Sequence, residues 1–467
     1  MKRLVKIIFI ALVLLLCSTP LALTVIGIDS PSVEKKSQAS APRMILADGS
    51  LNESFTRDLD LYIADNFPMR TLLISAWHFL NTRILGQTGN DQVILGRDGW
   101  LFYAPTIAAY TASDRFSQTE YDRLDTILRL QRDYLASRGI SFIYTVVPNK
   151  NSVYPEKMPI RYENLTDDNN LAGLHKHLQT PGYLDLHSLL TRSATQQEAL
   201  LYHQTDSHWN NSGALIALSA LLNQASQQLG NPLANPYLKA ASHEVADWSG
   251  DLAVMLYPVG PRPDRQQYYD VDPGYRYTRP LRSLEDLSII TRGSGQGSVL
   301  MFRDSFANAL IPMLSESFAE VTYSRAVPYD YVLLDKTDTD LVILEIVERN
   351  LPDWLTNPPR LPAVEYSGDL PSAQPGGTGK ISIDRQEEAG WIKINGKIAD
   401  STVLSNWHQL LINIDGKIYE ALPVTDRDQP DLVSFTLYLT NGSQPDTVSI
   451  SEVLVSTDHG WFSFDSD

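Results

Sequence analysis

From Ser117 to Val347 the sequence alternates segments of helical apolar spacing with short, almost wholly apolar runs, a pattern that few folds accept. Ser117 to Arg138 reads as a helix, and Ser141 to Val147 (SFIYTVV) as a strand covered on both faces. The alternation continues with a helix over Leu171 to Leu178, a short strand over Tyr183 to Leu186 and a helix over Ser212 to Leu229. Ser298 to Phe302 is a strand, Phe306 to Ser317 a helix, Glu320 to Tyr323 a strand and Leu341 to Val347 (LVILEIV) another. The expected class is α/β, a parallel sheet with flanking helices. Upstream, Leu59, Leu61, Ile63 and Phe67, then Leu72, Leu73, Trp77, Phe79 and Leu80, suit helices broken near Asn66-Phe67-Pro68. Val93 to Tyr103 holds two β-prone runs around an Asp98-Gly99 turn, a hairpin signal.

The pattern changes beyond residue 356. Residues 357–380 are rich in proline and glycine and read as a linker, and 381–467 switch to period two, the mark of a C-terminal all-β sandwich. Its Trp391 and Trp407 either offer a sugar-stacking face or pack the sandwich core. At the other end, Lys2, Arg3 and Lys6 precede Ile7 to Ile28, 22 residues without a charge, long enough to cross a bilayer. Residues 1–28 are therefore expected to form an N-terminal transmembrane anchor in the cytoplasmic membrane, with Ser18 and Ala22 leaving a cleaved signal as the alternative. The basic residues before the span put the folded part outside the cytoplasm. Residues 29–50 come next as a polar tether, and 51–356 as the α/β domain.

Charge and cysteine content narrow the chemistry. With 38 Lys+Arg against 55 Asp+Glu the formal charge is −17, which argues against nucleic acid as a partner. The one cysteine, Cys17, lies in the apolar N-terminal run, so a soluble domain has no disulfide, no cysteine zinc site and no thiol nucleophile. Chemistry is left to oxygen and imidazole groups.

Two segments carry such groups. Ser305 comes after the strand Val299-Leu300-Met301-Phe302 and precedes a helix, so it stands where parallel sheets hold their sites, with helix N–H groups behind it to meet an oxyanion. Alternatively, Asp304 or Ser305 merely caps that helix. Thr205-Asp206-Ser207-His208-Trp209-Asn210 brings a carboxylate and an imidazole close together in a loop, and a serine hydroxyl needs an imidazole to accept its proton and a carboxylate to support that imidazole. The pair could also ligate a metal. His175-x-His177 is a competing metal signal on a polar helix; no metal or cofactor is expected.

Together the pieces resemble a family. Asp206-Ser207-His208-Trp209-Asn210 with Gly213 is similar to the Asp/His block of SGNH hydrolases, and Arg303-Asp304-Ser305-Phe306 resembles their Gly-Asp-Ser block with arginine for glycine. The Asp/His block comes first here, the order of the circularly permuted AlgJ/AlgX-type alginate O-acetyltransferase family. Asp65-Asn66-Phe67-Pro68-x-Arg70, Val93 to Tyr103, Val147-Pro148-Asn149-Lys150, Val153-Tyr154-Pro155-Glu156 and Gly250-Asp251-Leu252 match it as well, over about Leu51 to Leu351.

The resemblance implies an SGNH hydrolase-like domain with Ser305 as nucleophile, His208 as base and Asp206 orienting His208. It also implies an acetyl-serine intermediate and Asn149 as a candidate substrate or oxyanion contact. Arg349 falls where ordinary SGNH enzymes have the oxyanion-hole asparagine; it either binds an oxyanion or an acidic glycan, or pairs with Glu348 or Asp304. Tyr323 and Arg325 are near-site candidates or ordinary sheet packing. The implied partners are a polysaccharide acceptor and a membrane-bound acyltransferase supplying acetyl groups. A carbohydrate O-acetylesterase with the same triad and a non-catalytic glycan-binding scaffold are the alternatives.

Overall fold

A computed structural model describes residues 2–26, 39–46, 48–67, 69–162, 168–196, 199–376, 380–388, 391–399, 404, 406–429, 432–440 and 449–465. The chain divides into two compact units, one of Met1–Ala104, His203–Ser207 and Ala246–Arg265, the other of Pro105–Tyr202, His208–Val245 and Gln266–Asp467.

In the first unit α1 (Lys2–Ile26) is a 25-residue helix. Among the described residues no helix is long and apolar enough to cross a membrane. The expected span Ile7–Ile28 ends outside the described residues, as does the tether from 29 to 38. Helices α2 (Phe55–Asn66) and α3 (Arg70–Leu80) are separated where Phe67, the residue before a proline, turns extended at ψ 117°. Strands β1 (Val93–Leu95) and β2 (Leu101–Tyr103) form the expected antiparallel hairpin, with Asp98 and Gly99 at positive φ in its turn. Val93 and Leu101 pack on Leu252, Ala253 and Leu256 of the helix Asp251–Leu256.

The second unit is built on a seven-stranded sheet. It contains β3 (Ser141–Val147) and β4 (Tyr183–Leu184); β5 (Ser242–Trp248) and β6 (Asp264–Tyr269) pair separately. With β7 (Arg276–Tyr277), β8 (Ser288–Arg292), β9 (Ser298–Phe302), β10 (Glu320–Ser324) and β11 (Leu341–Val347), the order across the sheet is β4-β3-β11-β9-β10-β8-β7. Five strands are parallel, but β8 is antiparallel to β10 and β7 to β8, so the expected parallel sheet is a mixed one. The reason is the link from β8 to β9: residues 293–297 (GSGQG) are too few for the crossover that a parallel arrangement needs.

Two other elements differ from expectation. Asp185 accepts the Ser188 N–H at 3.0 Å, which ends the strand at Leu184 and starts the helix Leu186–Gln196. The helix expected over Phe306 to Ser317 is a 3₁₀ turn, Phe306–Ala309, followed by Leu310–Leu314, with Pro312, which has no N–H to give, in the first turn of the latter.

The C-terminal strands are β12 (Ala373–Pro375), β13 (Lys380–Glu388), β14 (Trp391–Ala399), β15 (Trp407–Ile414), β16 (Lys417–Glu420), β17 (Leu422–Val424), β18 (Val433–Thr440), β19 (Ile450–Thr457) and β20 (Gly460–Asp465). They make two sheets, β12-β20-β19-β15-β16 and β13-β14-β18-β17, around a core that includes Ile392, Trp407, Leu410, Phe435 and Val453. Trp391 and Trp407 are 5% and 0% exposed, so neither offers a face to a sugar. Within the expected linker, Pro362 bridges to Tyr438, Glu365 to Tyr419, and β12 joins β20, so residues 362–375 run along the sandwich.

The helix Gln118–Ser137 serves both layers. Leu124, Ile127 and Leu128 pack in the core beneath the main sheet, while the Arg123 guanidinium lies 3.7 Å above the Trp407 ring and its Nε donates to the Trp407 carbonyl at 2.9 Å. Arg129 pairs with Glu420, and Arg427 with Glu120 at 3.0 Å. Arg123→Ala removes a desolvated cation from an aromatic face and leaves a buried carbonyl unmatched, a loss of about 2 kcal/mol. Calorimetry should show a lower Tm with the α/β layer and the sandwich still melting together; an unchanged Tm would mean that the contact carries no stability.

Candidate active site

β9 lies between β10 and β11 and delivers Arg303, Asp304 and Ser305 at its carboxyl end. Asp304 does the capping there: its Oδ1 accepts the Phe306 N–H at 2.8 Å and its Oδ2 the Val347 N–H at 2.8 Å. Ser305 makes no cap bond. Its Oγ stands 2.9 Å from His208 Nε2 instead, so of the two residues that could cap the turn it is Asp304 that does so. Because the Phe306 N–H is taken by Asp304 and the turn behind Ser305 is short, the expected helix N-terminus is a poor anion cradle.

Arg303, where SGNH sequences have glycine, is 2% exposed and staples the turn. Nη1 donates to the Asp304 carbonyl at 3.1 Å and to Asn308 Oδ1 at 2.5 Å, and Nη2 to the Leu284 carbonyl at 2.6 Å. Burial, reinforced by Arg325, pulls its guanidinium down to about 10, so it stays charged at neutral pH. Beneath it Glu345 accepts the Asp304 N–H at 3.1 Å, and full burial beside Asp304 holds its carboxyl well above the usual range.

His208 is fixed by its neighbours on the C-terminal side. Trp209 Nε1 donates to the Phe306 carbonyl at 2.8 Å, and the Phe306 ring lies 4.8 Å from the imidazole. Asn210 caps the helix Asn211–Leu229 by accepting from Ser212 and Gly213 N–H. A Cβ on Gly213 would sit 2.4 Å from the Leu201 carbonyl oxygen, so the helix approaches that segment only with glycine there.

In the first unit Asp206 is 3% exposed, and its Oδ2 accepts from Trp248 Nε1 at 3.0 Å and from the Asp251 N–H at 3.1 Å. Asp251 in turn accepts from the Ser207 N–H and Oγ at 2.7 and 2.6 Å. A Cβ on Gly250 would meet the Thr205 carbonyl oxygen at 2.3 Å. The Gly250-Asp251 match thus has a local cause: it clamps the Asp206 loop. Trp248, two residues earlier, is the clamp member that sequence reasoning missed; its indole stacks on His203 with centroids 4.9 Å apart and planes 3° from parallel. Only the tertiary fold shows its bond to Asp206.

The remaining candidates scatter. Arg349 comes after β11 with its guanidinium 5.3 Å over the Phe306 ring, the same ring that abuts His208. Asn149 comes after β3; its side chain is 1% exposed and its N–H donates to Glu348 Oε2 at 2.8 Å. Glu348 also accepts from Ser152 Oγ at 2.6 Å, and burial pushes its carboxyl up to about 7 against these bonds. Tyr323 is wholly buried, with its hydroxyl on Ser315 Oγ and the Ile311 carbonyl, the position of a packing residue. Arg325 pairs with Glu285. His177 stacks on Tyr121 at 4.6 Å.

Comparisons with known proteins point to the family that the motifs resemble. Residues 93–280 match the family described as SGNH hydrolase-like domain, acetyltransferase AlgX. The chain is 27% identical over 245 residues to a probable alginate O-acetylase AlgJ of Pseudomonas syringae pv. tomato, covering 48% of this chain and 57% of that protein. It is 24% identical over 214 residues to a probable alginate O-acetylase AlgJ of Pseudomonas putida, covering 45% and 53%. The chain thus spans little more than half the length of these curated relatives. Among solved structures it is similar to the O-acetyltransferase domain of Pseudomonas putida AlgJ (TM-score 0.38, 22% identity, 56% of this chain and 92% of that one). It is also similar to Bacillus cereus PatB1 (TM-score 0.44, 18% identity, 56% and 97%).

Proposed function

We propose, from the match of residues 93–280 to the AlgX acetyltransferase family and the likeness to AlgJ, that the chain is an O-acetyltransferase acting on hydroxyls of an exopolysaccharide or cell-wall glycan. The observation that supports this most is the 2.9 Å separation of Ser305 Oγ and His208 Nε2 at the carboxyl end of a parallel strand. His208 takes the Ser305 proton as Oγ attacks the acetyl carbonyl of the donor, then returns it to the departing donor group, leaving acetyl-Ser305. A sugar hydroxyl, deprotonated by the same nitrogen, attacks the ester, and Ser305 regains its proton from His208. Asp206 orients the imidazole and supports its positive charge, a role that rests on the Asp-x-His spacing. Arg349, whose cation stands over Phe306, is the side chain offered to the oxyanion or to an acidic glycan.

The folded part works outside the cytoplasm, tethered by Ile7–Ile28, with acetyl groups delivered by a membrane-bound acyltransferase. Full-length protein given an acetyl-ester donor and candidate oligosaccharides should yield acetylated sugar by mass spectrometry. Free acetate with every acceptor would make it an esterase, and neither product would leave a glycan-binding scaffold. Trp248→Phe keeps a ring against His203 but removes one hydrogen bond to the Asp206 carboxylate. The expected loss is about tenfold in kcat, on the order of 1.5 kcal/mol, with little change in acceptor KM. An unchanged kcat would remove Trp248 from the machinery.

A further inference from the structure

Helix α3 is amphipathic with its faces reversed. Its polar residues point into the first unit: Thr71, His78 and, just beyond the helix, Asn81 are buried. His78 Nδ1 pairs with the Thr88 carbonyl, Ser75 Oγ accepts the Val259 N–H at 3.2 Å, and Thr82 Oγ1 meets the Tyr257 hydroxyl at 3.0 Å. These bonds fix the roll of the helix. The other face, Leu72, Leu73, Trp77 and Leu80, continued by Ile84 in the π-helical turn Asn81–Leu85, is 46 to 73% exposed. A water-facing helix has the opposite arrangement, and an apolar surface of this kind marks a place where something docks.

We propose that this face lies in the interfacial layer of the same bilayer that the N-terminal segment crosses, with lipid as its occupant. The proposal rests on the reading of Ile7–Ile28 as a membrane span and is independent of acetyl transfer. Ala39, the first described residue after α1, is pinned to the end of α2. Its N–H donates to Asp65 Oδ2 at 3.1 Å and its carbonyl accepts from Asn66 Nδ2 at 3.0 Å, four residues before α3 begins. The 12 residues 27–38 that separate Ile26 from Ala39 reach at most roughly 45 Å even when fully extended. The apolar face is therefore held within one tether length of the membrane. Its composition suits lipid: Trp77 and Phe79 are interfacial side chains, and Arg83, its guanidinium 5.7 Å from the Phe79 ring, runs its stem along apolar surface with its charge free to reach phosphate.

Nitroxide accessibility tests this in full-length protein carrying Cys17→Ser and one new cysteine, reconstituted in vesicles of phosphatidylethanolamine and phosphatidylglycerol. Labels at Leu73→Cys, Trp77→Cys and Ile84→Cys should collide with oxygen in preference to a water-soluble nickel complex. Their oxygen-to-nickel ratio should be at least about fivefold that of a label at Gln386→Cys, an exposed position in β13. Any variant without the wild-type circular dichroism is replaced by Leu72→Cys. Ratios equal to the Gln386 control in protein that floats with the vesicles would overturn the proposal and leave the anchor standing, as would labels shielded from both reagents only in native membranes, where a protein partner is present. Dipolar broadening that disappears on dilution with unlabelled chain would assign the face to a second copy and equally overturn it. Failure to float would overturn the anchor and the proposal together, without bearing on acetyl transfer.

Discussion

Ser305→Ala should abolish acetyl transfer, by at least about a thousandfold, while leaving polymer binding nearly intact. In the proposed reaction the hydroxyl forms the covalent bond but contributes little contact area, whereas a glycan several sugars long spreads its affinity over many groups. The substitution is structurally quiet, because Asp304, not Ser305, caps the turn and ties it to the end of β11. His208→Ala should cost nearly as much, since without the imidazole the serine keeps its proton, and the double variant should be little worse than either alone. Asp206→Asn should be severe but milder. Transfer rate and acceptor affinity, measured separately on each variant, decide the matter: normal glycan acetylation in cells carrying only the Ser305→Ala protein would remove the nucleophile and favour a scaffold.

Stability should depend on pH through Glu348. Burial raises its carboxyl from the ordinary 4.5 to about 7 in the folded chain, although Asn149 N–H and Ser152 Oγ favour the charged form. The folded protein therefore holds this proton more tightly than the unfolded one. The resulting stabilisation is fully present below pH 4.5 and is lost as pH rises through 7, a total of about 3 kcal/mol. Glu348→Gln is neutral throughout and retains an acceptor for the same two donors. Urea unfolding should show its stability relative to wild type improving by about 3 kcal/mol between pH 4.5 and 8. Parallel curves for the two proteins would show that Glu348 titrates normally.

Much of the fold is legible in the chain because burial on both faces leaves a one-dimensional record. β11 reads LVILEIV and is buried at every position, and β3 and β9 are nearly so. The capping box of Ser117 and Glu120 starts the Gln118–Ser137 helix where polarity and spacing place it. The Ser305 and His208 motifs are equally local, each being a strand or loop end followed by a helix start. Sequence alone therefore determined the helix–strand alternation, the change to period two beyond residue 380, and the two segments that meet at the site. Tertiary structure decided what depends on partners far along the chain. It set the antiparallel β8, the burial of Trp407 under Arg123, and the capping of the turn by Asp304 while Ser305 Oγ meets His208. It also set the clamp of Trp248 and Asp251 on Asp206, and turned the apolar side of α3 outward. The physical reason is common to all of these. Apolar periodicity says that a face is covered or not, but which group satisfies a given N–H, carboxylate or ring is settled only when residues tens to hundreds of positions apart are brought within hydrogen-bond reach.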